Sequence, residues 1–370
     1  MSTAEGAVAS VWKRALPAIT LVLVAPLVAE VLPGATRFSS LFVLPVEMCV
    51  WGGGALMIRY AVRRWHLGWA HMLALALALA IAEECLIQQT SLAPMFLRLK
   101  GETYARAFGV NYVYFLWALV YEAVFVVILP IHLVELIFPD RREELWVSVA
   151  GLIVAAVLFF LGSFLAWYSW TQIARPSVFH VPAYNPPPGA ILIATCAIGV
   201  LIFLALGPYR DVLSRPSTPL RPPPPWLLGT AGALWAVLWY GLVLLGVGIA
   251  PWFPPAVAVV AGLLLAAVAL FSLPRWSADP RWRRGHEFGL IFGTMLGSMM
   301  VGFIGFIGAA PVDLFFKILV NLLAVALLIA LGLRMTRLRC CTLERGNTRP
   351  LPPHECRQTP VGPGSVSDCG

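Results

Sequence analysis

The sequence predicts an all-α, polytopic integral membrane protein, and three observations carry this prediction. Of its 370 residues, 60% are hydrophobic and 12% are charged, whereas soluble domains carry about 25% charged residues. Mean hydropathy is +0.83. Apolar runs of about 20 residues, the length that crosses a bilayer as a helix, recur along the chain. Alternating segments of about ten residues, typical of a membrane β-barrel, do not occur, so we expect a helical bundle.

Ten apolar runs define the expected transmembrane helices. They lie at approximately 15–33, 40–62, 68–90, 110–138, 147–169, 189–208, 226–249, 254–273, 288–309 and 312–335. We interpret the first as a span and not as a cleaved signal, because it is long and contains Pro26 and Glu30 without a small-residue cleavage site. The fourth is long enough to tilt, or to break at Pro130.

The basic residues set the predicted orientation. If the N-terminus lies in the cytoplasm, 20 of the 26 Lys and Arg residues fall in inside segments, five fall in outside loops, and Lys317 lies within a span. Membrane proteins concentrate positive charge on the cytoplasmic side. We therefore expect both termini to be cytoplasmic and the protein to lie in the plasma (cytoplasmic) membrane. The net charge of +8 follows from this topology, so the expected partner is the lipid bilayer and not nucleic acid.

Composition divides the chain into six segments. They are a cytoplasmic N-terminal tail (1–14), a four-span glutamate-bearing unit (15–138), spans five and six with an outer proline-rich loop (139–207), a proline-rich cytoplasmic linker (208–225), a four-span glycine-rich unit (226–336) and a disordered cytoplasmic tail (337–370). Of the outer loops, 91–109 is a candidate interfacial amphipathic helix and 170–189 a candidate extended cap.

Glutamates occur where a charge is costly. The apolar run of span three meets Glu83 and Glu84 before it has crossed the bilayer, and a charge at that depth costs about 2.5–3.5 kcal/mol on insertion scales. Alternating topology places Glu30, Glu47 and Glu122 at a similar depth on the outer side. Crowded carboxylates in a low dielectric cannot all stay ionised, so such a cluster suits proton coupling, cation binding or acid–base chemistry. Alternatively, each is a packing residue that is protonated or paired with arginine.

Glycines mark two further places in the spans. Gly52–Gly54 lie in the middle of span two, ahead of Arg59, and indicate either very close helix packing or a broken helix that exposes its backbone to a cavity. In span nine, glycines recur at every fourth position over 289–297 and predict a small-residue packing face.

Other polar residues within the spans are weaker candidates. Asn111 opens span four at the outer face. Asp313, Lys317 and Asn321 recur at four-residue intervals in span ten and predict one polar stripe containing an internal ion pair. His132 stands alone on an apolar helix, where a histidine is more often hydrogen-bonded structure than a ligand. Because ten residues separate it from Glu122, a regular helix does not place the two on one face.

Several kinds of site are not indicated. The seven cysteines are scattered without CxxC or Cys/His spacing, so we expect neither a zinc site nor a disulfide framework. P-loop, nucleophile-elbow, HExxH and dinucleotide motifs do not occur. We therefore expect no metal and no cofactor, and ATP-driven transport by this chain alone has no support.

Two resemblances add to this interpretation. The first rests on APLVAEVLPG (25–34), WGGGALMIR (51–59), AEECLIQQT (82–90), GVNYVYFLW (109–117) and LPIHLVELIFP (129–139). These stretches resemble a group of bacterial, largely actinobacterial, multi-pass membrane proteins without an assigned activity. Separately, Glu83-Glu84 resembles the paired-glutamate EExxxR motif of the CAAX-protease and bacteriocin-processing (Abi) family, which implies glutamate-activated water. Gln88 occupies the position of the arginine in that motif. No FxxxH motif follows it, and Glu122 lies roughly where the histidine of such a motif is expected.

Three functions follow from these observations. The first is a permease or proton-coupled carrier of a small molecule or ion that uses the carboxylate cluster. The second is a structural or assembly protein that uses the glutamates for packing. The third is an intramembrane glutamate-dependent hydrolase. The direction in which the glutamate side chains face discriminates between them.

Overall fold

The helices of the structure coincide with the predicted spans. The computed structural model describes residues 15–94, 105–214, 217–244 and 252–345, the last with side chains to residue 337. The helices are α1 (Ala15–Val31), α2 (Phe38–Arg64), α3 (Trp69–Ile87), α4 (Tyr112–Ile137), α5 (Val149–Ser177), α6 (Pro188–Leu206), α7 (Pro225–Leu244), α8 (Pro255–Ser277), α9 (Arg284–Phe306) and α10 (Pro311–Arg345). Within these ranges α2 to α10 are long and apolar enough to cross a membrane, and α1 is a shorter apolar helix. The all-α membrane fold is thereby confirmed.

The connections differ from the predictions in three places. Helix α5 continues to Ser177, past the predicted end at 169, which shortens the proline-rich cap. In the first outer loop, residues 95–104 lie outside the described ranges, and the described remainder contains an antiparallel pair, β1 (Arg106–Ala107) and β2 (Val110–Asn111). Helix α10 continues to Arg345, so the first residues of the tail predicted as disordered are helical. The predicted N-terminal tail (1–14) and residues 346–370 lie outside the described ranges.

Burial separates central helices from peripheral ones. In their most apolar stretches, 50%, 67% and 56% of the residues of α2, α3 and α4 are buried, against 11% for α5, α6 and α8. The peripheral helices therefore present their apolar faces to lipid. Three of the four helices that carry the predicted glutamates, α2, α3 and α4, are therefore the most buried. The described residues up to Asn321 form one compact unit, and the remainder of α10, from Leu322, belongs to a second.

Helices α7 and α9 cross at the glycine face predicted from sequence. A Cβ atom added to Gly293 would lie 1.8 Å from the carbonyl oxygen of Gly229, and one added to Gly289 would lie 2.3 Å from that of Pro225. These distances leave no room for a side chain, so the two backbones touch. The predicted small-residue packing face is confirmed.

We expect Gly293→Ala to lower the free energy of unfolding by about 1–3 kcal/mol, because the new methyl group forces the two helix backbones apart. Gly199→Ala on α6 is the matched control, since a Cβ there meets no atom within 4 Å and alanine favours a helix over glycine. Unfolding by sodium dodecyl sulfate in mixed micelles measures both. Equal effects of the two variants would show that the α7–α9 contact is not tight.

The three glycines of α2 also serve close packing. Helix α2 is continuous through them, and a Cβ on Gly52 would lie 2.4 Å from the carbonyl oxygen of Val22 in α1. That carbonyl lacks its usual helical partner because Pro26, four residues later, has no N–H. On the other side, a Cβ on Gly54 would lie 2.7 Å from Leu79 of α3. Of the two alternatives, close packing is observed and a broken helix is not.

Candidate functional site

Each glutamate of the predicted cluster lies at a π-helical turn. The described residues contain six π-helical segments, and four of them carry or adjoin these glutamates. The four are Leu27–Val31 with Glu30, Met48–Gly52 directly after Glu47, Glu83–Ile87 with Glu83 and Glu84, and Glu122–Ile128 with Glu122. Such turns are rare, well under ~1% of residues, and are frequent at functional sites.

The π turns change the direction in which the side chains point. Each inserts one residue relative to an α-helix, so the faces before and after it differ by about 100°. Proline explains the turn in α4, because Pro130 cannot donate a hydrogen bond to the carbonyl of Val126. In α1 the turn leaves the carbonyl of Ala29 accessible, and the Tyr121 hydroxyl donates to it. The turns thus tie the central helices together beside the glutamates.

The structure brings all five glutamates together. Glu83 interacts electrostatically with Glu84, Glu30 and Glu47, and Glu122 interacts with Glu83, Glu84 and Glu30. Four of the residues are only 2–5% exposed, and Glu30 is partly exposed. Carboxyl groups from four consecutive helices therefore share one buried region.

Glu84 is the member of the pair that has hydrogen-bond donors. One of its carboxylate oxygens accepts from the Thr90 hydroxyl at 2.5 Å, the Ser91 hydroxyl at 2.5 Å and the Ser91 N–H at 3.0 Å. The backbone reverses at Gln89, whose φ of +61° lies in the left-handed region, and this reversal points both hydroxyls back at Glu84. The N–H of Asn111 fixes the Ser91 carbonyl at 2.9 Å. The protein thus equips Glu84 to carry a negative charge.

Three other glutamates each have one neutral partner. The Trp51 indole donates to Glu122 at 3.2 Å, the Thr36 hydroxyl donates to Glu47 at 2.5 Å, and the Tyr121 hydroxyl lies 3.3 Å from Glu30. Tyr121 belongs to an aromatic wall formed by α4 and α7. In this wall Trp117 stacks on Tyr121 with ring centroids 4.7 Å apart, and Tyr240 packs edge-on against both.

Among the described residues, Glu83 has no hydrogen-bond donor. Both of its oxygens, and the second oxygen of Glu47, are buried without a partner among the described residues. None of the five glutamates forms an ion pair within the described ranges. Arg37 and Arg106, two basic residues of the predicted outer loops, donate to backbone carbonyls. The cluster is therefore a group of buried acids without a described cationic partner.

Removing the Thr90 and Ser91 hydroxyls tests the support of Glu84. We expect Thr90→Val and Ser91→Ala each to lower the free energy of unfolding by about 1.5–3 kcal/mol, the range for hydrogen bonds to a charged group. Unfolding in mixed micelles measures the loss. In a Glu84→Gln background both losses should shrink, and losses of unchanged size there would show that the hydroxyls act elsewhere.

Two of the predicted polar residues do not join the cluster. Arg59 lies at the other end of α2, where its guanidinium contacts Glu135 at 3.2 Å and stacks on Trp146. The side chain of Asn111 accepts a hydrogen bond from the N–H of Tyr114 at 2.9 Å and so caps the start of α4. Both residues have structural roles in this arrangement.

The polar stripe of α10 forms, but its predicted ion pair does not. Within the described residues, Asp313 accepts hydrogen bonds from the backbone and hydroxyl of Ser39 at 2.9 and 3.0 Å, not from Lys317. The Lys317 ammonium donates to the carbonyls of Leu32 and Met299. These carbonyls lie at the C-terminal ends of α1 and of the α-helical part of α9, where helix dipoles favour a cation. The Asn321 amide is oriented so that its nitrogen donates to the Leu32 carbonyl and its oxygen accepts from the Lys317 ammonium, each at 3.1 Å.

A second polar network lies at the opposite end of the central helices. Glu135 is 1% exposed and contacts Arg59, Arg63 and Arg142 at 2.7–3.2 Å. Arg142 also pairs with Glu287 of α9 at 3.0 Å. Burial lowers the pKa of Arg142, but the carboxylates of Glu287 and Glu135 outweigh it and raise that pKa above its ordinary value.

His132 belongs to this second network and not to the cluster. Its Nδ1 lies 2.6 Å from Glu287. Sequence reasoning missed Glu287, and the available signal was a carboxylate at the edge of the predicted span nine among Arg283 and Arg284.

A cavity of about 440 Å³ extends from this network toward the depth of Glu122. Its wall on α4 runs from Val120 and Ala123, on either side of Glu122 in the sequence, to His132. At 1.5 Å per residue this covers about 18 Å of helix.

No family model, curated protein or solved structure matches this chain. Within the described ranges, no three His, Cys, Asp or Glu side chains are arranged to hold a metal ion. The buried glutamates, their π turns and the nearby cavity are the features on which a function can be based.

Proposed function

We propose that the protein is a proton-coupled carrier of a small molecule or ion, in which the glutamate cluster takes up and releases protons. The observation that carries the proposal is the burial of five carboxyl groups without a described cationic partner. An isolated ionised carboxylate is very costly in a low dielectric. Such a group needs a proton, a bound cation or water, and intramembrane acids are characteristic of proton relays.

A structural glutamate elsewhere in the chain has different partners from those of the cluster, and this difference argues against a packing role for the cluster. Glu135 is as buried as Glu83 but is surrounded by three arginines, whereas both Glu83 oxygens lack a donor. An acid kept only for packing is expected to be paired as Glu135 is. A glutamate-dependent hydrolase has less support, because no described histidine is hydrogen-bonded to the cluster.

The cavity beside α4 reaches the depth of the cluster, but there it is lined by Val120 and Ala123, which flank Glu122 in the sequence, and not by a glutamate of the cluster. Its polar end lies at Arg142 and, by the distribution of Lys and Arg, faces the cytoplasm.

Flux in proteoliposomes tests the proposal. We expect vesicles with an imposed pH gradient and an internal pH-sensitive dye to show proton movement when a transported solute is added, with Na⁺ and K⁺ as first probes and small organic solutes next. Glu83→Gln and Glu122→Gln should abolish this movement. Glu143→Gln, whose side chain is 75% exposed, should not. Proton movement that survives Glu83→Gln would contradict the proposal.

We also propose that the protein lies in the cytoplasmic membrane with both termini inside, on the basis of the 20-to-5 division of Lys and Arg. Alkaline phosphatase fused after Gly370 should be inactive in cells. The same reporter inserted in the loop between α5 and α6, residues 178–187, should be active. The reverse pattern would overturn the orientation.

A further inference from the structure

We propose that the cavity beside α4 is a binding site for an anionic phospholipid, with an acyl chain inside the cavity and the phosphate near Arg142. This inference goes beyond the proposed function and does not depend on it, because it concerns binding at residues outside the glutamate cluster. It rests on the walls, polar end and side opening of the cavity and on the charge around it.

The walls are almost entirely aliphatic. The long sides of the cavity are lined by residues of α3, α4 and α8, among them Leu73, Leu77, Val124, Ile128 and Leu273. The volume of about 440 Å³ falls within the range of about 300–1,000 Å³ for small-molecule sites. Its extent along α4, about 18 Å at the helical rise, suits an extended hydrocarbon chain. A polar solute would find almost no hydrogen-bonding groups along these walls.

The polar groups of the cavity gather at one end. His132 near the end of α4, Ser277 at the end of α8 and Glu287 near the start of α9 all line it, together with Arg142 and Trp282. His132 and Arg142 both contact Glu287, so these groups are adjacent in space. An occupant that matches this arrangement has a long apolar part and one polar head.

The cavity is open sideways, at the surface that faces lipid. Two of its lining residues are large and exposed, Trp69 at 41% and Leu270 at 49%. They belong to α3 and α8, so both helices contribute residues that line the cavity and also reach the outer surface. A chain can enter there from the bilayer without crossing water, and this favours a membrane lipid over a water-soluble ligand.

Charge at the polar end favours an anionic head group. Arg283 and Arg284 are exposed and directly follow Trp282, which lines the cavity. Arg142 is itself engaged by Glu135 and Glu287, so the exposed arginines provide the uncompensated positive charge. Basic pockets between transmembrane helices on the cytoplasmic side bind anionic lipid head groups. Phosphatidylglycerol therefore fits this end better than the zwitterionic phosphatidylcholine.

A pair of alanines on α8 provides the test. Ala266 lines the cavity, whereas the adjacent Ala267 is exposed on another face of the helix. Ala266→Phe fills the cavity, and Ala267→Phe adds the same ring outside it. We expect native mass spectrometry of the intact chain in detergent to detect retained phosphatidylglycerol with the wild type and Ala267→Phe, and to lose it with Ala266→Phe.

Two further variants control for misfolding and for non-specific binding of lipid. Arg284→Gln, a surface change, should lower retention of phosphatidylglycerol about fivefold, since one surface arginine contributes about 1 kcal/mol to binding of an anionic lipid. It should leave phosphatidylcholine unchanged. Glu83→Gln should retain phosphatidylglycerol fully, so a failure of the proton site is distinguishable from a failure of the lipid site. Equal retention by Ala266→Phe and Ala267→Phe, or no preference for phosphatidylglycerol, would overturn the proposal.

Discussion

Glu83→Met is expected to abolish proton-coupled flux while raising the free energy of unfolding by about 1–3 kcal/mol. Burying a polar group without a hydrogen bond costs this amount in proteins, and neither oxygen of Glu83 has a donor in the part of the chain that the structure describes. Methionine has a similar length and no polar oxygen, so it removes the cost and fills the same space. Unfolding in mixed micelles and flux in proteoliposomes measure the two effects on the same preparation.

The adjacent Glu84 is the matched control. Glu84→Met removes the acceptor of three donors, which are the Thr90 hydroxyl, the Ser91 hydroxyl and the Ser91 N–H. Leaving such donors unsatisfied costs about 1–3 kcal/mol, so this variant should be destabilised. If Glu83→Met were destabilised as much as Glu84→Met, Glu83 would be a structural residue and the proton site would lose its main support.

Glu135→Met should lower the free energy of unfolding by about 3–5 kcal/mol, the cost of breaking a buried ion pair from one side. The substitution removes the carboxylate that Arg59, Arg63 and Arg142 share. Arg59 is only 1% exposed, so water cannot replace that carboxylate. Arg59 would retain only the carbonyls of Arg142 and Glu144 as acceptors. A denaturation curve in mixed micelles measures the loss.

Glu143 provides the control for this second effect. Its side chain is 75% exposed and pairs with Arg63 at 2.9 Å, so Glu143→Met should change the free energy of unfolding by no more than about 1 kcal/mol. Comparable losses for the two variants would contradict the view that the buried network stabilises the protein more than an exposed ion pair does.

The spans and the identity of the buried acids were predictable from sequence because both depend on local composition. An apolar run long enough to cross a bilayer is visible in the residues themselves, as is a glutamate inside it. The convergence of the five glutamates followed only as an expectation, since it requires the four helices to pack together. The glycine face of α9 was likewise visible, because spacing by four residues places glycines on one side of a helix.

Features that depend on distant parts of the chain were not predictable. The partner of Lys317 was expected to be Asp313 from their spacing, but the carbonyls of Leu32 and Met299 lie closer once α1 and α9 pack against α10. His132 and Glu287 meet only because α4 and α9 are neighbours. The π turn in α4 had a signal in the sequence, because Pro130 cannot donate a hydrogen bond to the turn that precedes it.

The central claim is that the glutamate cluster holds exchangeable protons. Infrared difference spectroscopy between acidic and alkaline pH, on the protein reconstituted in lipid, tests it most directly. We predict a carbonyl band from a buried protonated carboxylic acid that shifts in heavy water, disappears in Glu83→Gln and persists in Glu143→Gln. A wild-type spectrum without such a band, or a band that Glu83→Gln leaves unchanged, would contradict the claim.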